Sequence, residues 1–152
     1  MIVLEPVAAR RDLACRLGAD LAVDQLAGSA TQALEANRVG RVGTVIECVG
    51  KIPTIEQAIG IVGYKSTVMM FGLMAPTEGL SVRPFLMFKK ELALKASFIN
   101  PCTQGRAVAL TAGGKIDVSS MVLSEVALAE LPAILADPAR RAKGKAIVRP
   151  DF

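Results

Sequence analysis

Histidine is absent from all 152 residues, which excludes every triad built on imidazole and most zinc-ligand sets. The soft ligands that remain, Cys15, Cys48 and Cys102, are spaced too widely for a metal-binding pattern, so no metal site is expected from this chain alone. Unpaired cysteines, and a start without a basic and then apolar leader, point to a reducing cytoplasm. Tryptophan is also missing, and the aromatics amount to five phenylalanines and one tyrosine. None is interleaved with the basic cluster Arg140, Arg141, Lys143, Lys145 and Arg149, so no nucleic-acid partner is expected. That cluster keeps two readings, contact with an anionic cofactor or a solvated turn. The longest apolar stretches, such as residues 67–74, fall far short of the roughly 18 residues that cross a bilayer, so no membrane span is expected.

What the chain has in quantity is apolar side chains, 52% of the total, with a net charge of only +4. That suffices for a packed core, and the length suits one domain. The start, Met1-Ile2-Val3-Leu4-Glu5-Pro6, is an apolar run that stops on a carboxylate and turns into a helix, since Pro6 is pre-set for a first helical turn. Glu5 has two readings. It accepts ribose hydroxyls at the end of the second strand of a doubly wound dinucleotide fold, or it favours the helix N-terminus through the dipole.

Helical spacing predicts a helix over residues 7–17 with Gly18 as its cap. Leu21 to Val23 reads as a strand closed by Asp24, and Ser29 opens a helix to about Asn37. A strand over residues 44–50 leads to a helix from Pro53, with Ile55, Ala58, Ile59 and Val62 on one face, stopping near Gly63. Thr67 to Leu73 reads as the central strand, residues 75–82 as loop, 84–89 as a short helix, 91–98 as a strand and 103–112 as a helix closed by Gly113 and Gly114. After Val118 come a strand over 123–126, a helix over 129–136 and a strand over 145–148. This alternation implies a mainly parallel α/β sheet with right-handed crossovers.

Ligands of such sheets sit beyond the carboxyl ends of the strands, here Glu5, Val49-Gly50, Phe71-Gly72-Leu73 and Phe98-Ile99-Asn100. The glycines at two of these tips either admit close backbone approach by a ligand or serve the strand-to-helix turn. The phosphate-cradling G-x-G-x-x-G belongs about 20 residues before a ribose acid, yet only four residues precede Glu5. A dinucleotide domain here therefore lacks its first strand and pyrophosphate loop. The single tyrosine, Tyr64, has Val68 four positions on, which removes a Tyr-x-x-x-Lys catalytic pair.

Several strings, taken in order, carry a resemblance. They are Glu5-Pro6 with Arg10-Arg11 and residues 17–20 (Leu-Gly-Ala-Asp), residues 45–50 (Val-Ile-Glu-Cys-Val-Gly) with 54–58 (Thr-Ile-Glu-Gln-Ala), Lys90-Glu91-Leu92 with 97–101 (Ser-Phe-Ile-Asn-Pro), and 114–117 (Gly-Lys-Ile-Asp). Together the chain resembles the medium-chain, zinc-type alcohol dehydrogenases, above all the polyol, butanediol and threonine dehydrogenase group. The resemblance implies an incomplete Rossmann-type, doubly wound parallel sheet over residues 1–117 that lacks its first strand. Residues 118–152 would be a tail that packs on the catalytic domain. It implies an NAD-dependent oxidoreductase in which zinc polarises an alcohol or polyol and a hydride passes to nicotinamide. Carried over, Glu5 would hold the adenosine ribose and favour NAD over NADP, and Arg10 would lie over that ribose. Val49 and Gly50 would line the adenosine side. Phe71, Gly72, Leu73, Phe98, Ile99 and Asn100 would face the nicotinamide carboxamide and ribose, and Lys145 would approach the diphosphate. The strand around Ser97 would pair in a homodimer, within a dimer or tetramer. Zinc ligands and proton relay belong to the missing part, so no catalytic residue is expected here. The family's paired glycines after Val62 are replaced by Tyr64-Lys65-Ser66, costly if a positive φ is needed. Two readings follow, an inactive C-terminal part of such a dehydrogenase or a stand-alone dimerisation or docking module. Which alcohol is oxidised is not legible.

Overall fold

The computed structural model describes residues 1–99, 102–137, 139–140 and 145–150. They fall into two compact units, residues 1–99 and 100–152. The first unit runs β1 (Ile2–Leu4), α1 (Ala8–Arg16), β2 (Leu21–Val23), α2 (Ala30–Ala36), β3 (Val42–Glu47), α3 (Ile52–Ile61), β4 (Val62–Met70), α4 (Pro84–Lys90) and β5 (Ala93–Ala96). The second runs α5 (Gln104–Ala112), a 3-10 turn Ser119–Met121, β6 (Val122–Ala127), a second 3-10 turn Leu128–Glu130, α6 (Leu131–Ala136) and β7 (Lys145–Arg149). Every expected element from β1 to β7 is present, with ends moved by one to a few residues.

All strand pairs are parallel, as the alternation of strand and helix demands. They form three groups, β1-β2, β3-β4-β5 and β6-β7. The expected central strand does lie in the middle of its group, with Thr67 to Met70 pairing on one side with Thr44 to Glu47 and on the other with Ala93 to Ala96. Within the first unit, α2 packs against α3. The main-chain groups of Met1 and Glu5 bond to Asp20 and Val23 on the β2 side. By the alternation of a parallel ladder, Ile2 and Leu4 therefore turn their backbone groups to the other edge, where no described strand pairs. β3 bonds to β4 through the carbonyl of Glu47, so Thr44 and Ile46 face an edge that is likewise unpaired by any described strand. Two open parallel edges in one unit match a sheet without its first strand.

The core sits around α3. Ile55, Ala58 and Ile59 are spaced one turn apart and meet Val62, Val68 and Leu92, with Ile55 and Val68 fully buried. This is the face that the apolar spacing predicts.

Two elements, α3 and β4, depart from expectation through contacts with distant residues. α3 stops at Ile61 rather than near Gly63, because Lys90 donates from Nζ to the carbonyls of Ile59, Gly60 and Val62 at 3.3, 3.3 and 2.7 Å. That ammonium satisfies the acceptors a helix leaves open at its C-terminus. β4 then begins at once at Val62, pairs there with Val42, and bulges before resuming at Thr67 opposite Thr44. Inside the bulge Lys65 holds φ 52°, the left-handed conformation that a glycine would accept at lower cost. Ser66 Oγ donates to the Val42 carbonyl at 3.0 Å and pins it. At its other end the expected strand runs to Leu73, but β4 stops at Met70. The N–H groups of Phe71 and Gly72 both turn back onto the Glu47 carbonyl, at 2.8 and 2.9 Å, and this ends the ladder.

Candidate functional site

Glu5 lies one residue past β1, its N–H donating to the Val23 carbonyl at 3.0 Å. Its carboxylate meets the start of α1, where the helix reading puts it. Oε1 accepts the Val7 N–H at 2.9 Å at the start of α1, and Oε2 lies 3.8 Å from Arg10 Nη1. Beside it stands an arrangement that sequence reasoning missed. Arg11 Nη1 donates to the carbonyls of Glu5 and Pro6 at 2.8 and 2.7 Å and to Asp24 Oδ2 at 3.1 Å, tying the tips of β1 and β2 together. Asp24 Oδ1 in turn accepts the N–H of Leu26 at 2.9 Å. The signal was present, since Asp24 closes its strand just as Glu5 closes β1.

The second cluster joins the tips of β3 and β4. Val49 and Gly50 meet Phe71, Gly72 and Leu73 so closely that a Cβ on Gly72 would fall inside 3.0 Å of the Val49 and Gly50 backbone. Gly50, at φ 75°, leaves as little room against the backbone of Leu73. The glycines therefore serve a crossing of two strand tips, a use neither sequence reading contains. Around the crossing Val49, Phe71 and Leu73 expose their side chains, and Leu73 is 86% exposed. At the next tip the Ser97 N–H donates to the Met70 carbonyl at 3.1 Å, and Phe98 and Ile99 beyond it are exposed, Ile99 at φ 50°. Asn100 lies outside the described residues. Lys145 opens β7 in the other compact unit.

Two groups of the expected residues are held by separate networks, Glu5 with Arg10 at the tips of β1 and β2, and residues 49–50 and 71–73 at the tips of β3 and β4, while Phe98 and Ile99 lie beyond β5 and Lys145 in the other unit. The chemistry on offer is a carboxylate acceptor, bare glycine backbone and exposed apolar side chains, a set that fits the ribose and planar rings of a dinucleotide. It does not fit zinc. Among the described residues no group of three or more histidine, cysteine or acidic side chains could hold a metal, and the three cysteines are free and exposed.

Parallel strands alternating with helices, with ligand-type residues at the strand tips, define a Rossmann-type α/β fold. The family is narrower than the fold. A family model described as zinc-binding dehydrogenase matches residues 1–112, and the chain belongs to that family. A zinc-binding dehydrogenase from Sinorhizobium meliloti 1021, solved bound to NADP, is 33% identical with a TM-score of 0.90 over 98% of this chain and 44% of its own. Geraniol dehydrogenase of Castellaniella defragrans is 34% identical over 108 residues, 70% of this chain and 28% of its own. Benzyl alcohol dehydrogenase from Acinetobacter calcoaceticus, at 18% identity, shares the fold with a TM-score of 0.85 over 99% of this chain and 42% of its own. The chain spans under half the length of each.

Proposed function

We propose that these 152 residues are the C-terminal, cofactor-side part of a longer zinc-type, NAD-dependent alcohol or polyol dehydrogenase and have no activity alone. The observation that carries this is the pair of open parallel edges on β1 and β3, between which a first strand and its phosphate-binding turn would complete one sheet. The span of 28% and 44% of two relatives supports it. In this reading residues 1–117 are the incomplete dinucleotide domain and residues 118–152 the tail that returns to the catalytic domain. The preceding part supplies zinc and the proton relay, and the alcohol is secondary or a diol. Glu5 accepts the adenosine ribose hydroxyls, and its charge disfavours a 2'-phosphate, so NAD is preferred although the Sinorhizobium relative was solved with NADP. A homodimer forms through the free edge of β5, in the cytoplasm.

Two measurements test the reading. Titration of the 152-residue chain with NADH should show half-saturation above about 1 mM, because in this reading the pyrophosphate-binding helix terminus belongs to the preceding part. Micromolar binding would contradict the proposal. Fusing residues 1–152 behind the preceding part of the Sinorhizobium dehydrogenase should give an enzyme that reduces NAD with secondary alcohols. Replacing Glu5 by Ala in that fusion should narrow its preference for NAD over NADP by roughly tenfold, the scale of one charge-assisted hydrogen bond.

A further inference from the structure

Glu47 ends β3 and is 95% hidden from solvent, its residue exposure being 5%. A carboxylate in that position is expensive unless its oxygens are met. Oε1 accepts the N–H groups of Val49 and Gly50 at 2.7 and 2.9 Å and the Thr54 hydroxyl at 2.7 Å, so the side chain closes over its own turn at the start of α3. The same residue's carbonyl accepts the N–H groups of Phe71 and Gly72. One residue therefore grips both members of the Gly50–Gly72 crossing, one with its side chain and the other with its main chain.

We infer that Glu47 is a positioning residue that latches the β3 and β4 tips into a single arrangement, and so fixes the wall that a dinucleotide would meet. The inference rests on the cofactor reading above for its ligand, though not for its geometry. The mechanism is mechanical coupling. With the carboxylate in place the turn at residues 48–50 is held by three hydrogen bonds, and the close approach of Gly50 and Gly72 leaves the two tips no room to shift toward each other. Without it, two donors and a hydroxyl lose their shared acceptor, the turn opens, and Gly72 and Leu73 follow. Glu47 also occupies the N-terminal end of α3 with a charge of this chain's own, so that helix end offers no seat for a phosphate. The cofactor's rings, rather than its diphosphate, belong at this crossing.

Amide exchange read by NMR on the 152-residue chain tests the latch. In Glu47→Ala, Val49 and Gly50 should exchange roughly tenfold faster or more, as expected for a lost charge-assisted acceptor. Phe71 and Gly72 should accelerate with them even though their own acceptor, a main-chain carbonyl, is untouched. Unchanged protection at Phe71 and Gly72 would overturn the latch. Protection at Ile55 and Val68 reports whether the core survives, and if Glu47→Ala unfolds, Glu47→Gln decides, since it keeps one acceptor oxygen and should give the same pattern at smaller size. Adding NADH to tens of millimolar should shift the amides of residues 49–50 and 71–73 in the native chain, with apparent affinity lowered about threefold or more in the variant. Equal affinity in both would overturn the positioning role. No shift at any of these amides would overturn the cofactor reading and Glu47's role toward it, while leaving the exchange result to judge the latch alone.

Discussion

The segment from β3 to β5 and the segment after residue 101 use similar material to different effect. In the first, α3 places Ile55, Ala58 and Ile59 on β4 and Leu92, and these four residues with Val62 and Val68 form a contiguous buried cluster of six. In the second, α5 carries Val108 and Leu110, and both are exposed, as are Ile116, Leu135 and Ile147. No described residue of the second segment is buried. A parallel strand pair such as β6-β7 normally lies covered on both faces. The difference teaches that apolar content alone does not make a core: the helix face must meet a sheet face, and among the described residues of the second segment no such buried face is formed.

The largest expected break in this contrast comes from Ile55→Ala, which should cost about 2–5 kcal/mol in chemical denaturation. Val108→Ala in α5 should stay within about 0.5 kcal/mol. Comparable losses from the two would mean that the second segment has a core of its own. Next in size is Lys90→Met, which removes one ammonium from three carbonyls at the end of α3 and should cost about 1.5–3 kcal/mol. Amide exchange in the last turn of α3 would show the loss locally. Lys65→Gly works in the opposite direction, relieving a non-glycine residue at φ 52° and raising the unfolding free energy in chemical denaturation by up to about 1 kcal/mol. The Lys65–Glu91 ion pair it gives up is 3.9 Å long and largely exposed, and contributes little.

The smallest effect belongs to the second segment. Hydrogen bonding from Ser119, first from its side-chain hydroxyl and then from its N–H, which donates to Asp117 Oδ1 at 2.9 Å, lowers the carboxyl's pKa below its ordinary value. A folded-state pKa that is depressed gives stability fully present above the ordinary carboxylate range and lost as the pH falls through the folded value. Acid titration of the native chain should therefore show a slight loosening of the turn at Ser119–Met121 below about pH 4. Asp117→Asn should remove that pH dependence, and its persistence in the variant would assign it elsewhere.

Much of the fold was legible because its signals are local. Pro53 near the start of α3, Gly18 at φ 101° after α1, the i, i+3, i+4 spacing of Ile55, Ala58 and Ile59, and the seven-residue apolar run at Thr67 each act within one or two turns of chain. The strand tips were legible as places, and Glu5 stands at one of them, one residue past β1. Glu47, Arg11 and Asp24 were not, because what matters about them is a partner acquired by folding. Glu47 looks like an ordinary strand-end acid until the 71–73 segment arrives beside it, and Arg11 like a helix surface cation until β2 brings Asp24.

The order of elements, their parallel sense and the buried face of α3 follow from residue pattern alone, since periodicity and turn chemistry are written along the chain; the dehydrogenase family is reached only through the resemblance of particular strings. The premature end of β4, the bulge at Lys65, the Lys90 cap on α3 and the crossing of Gly50 with Gly72 were decided only in three dimensions. Each depends on hydrogen bonds or steric contact between residues some twenty or more positions apart, as with Lys90 and Val62 or Ser66 and Val42. Such pairings cost chain entropy that only the assembled sheet repays, and no local pattern encodes which donor will find which acceptor.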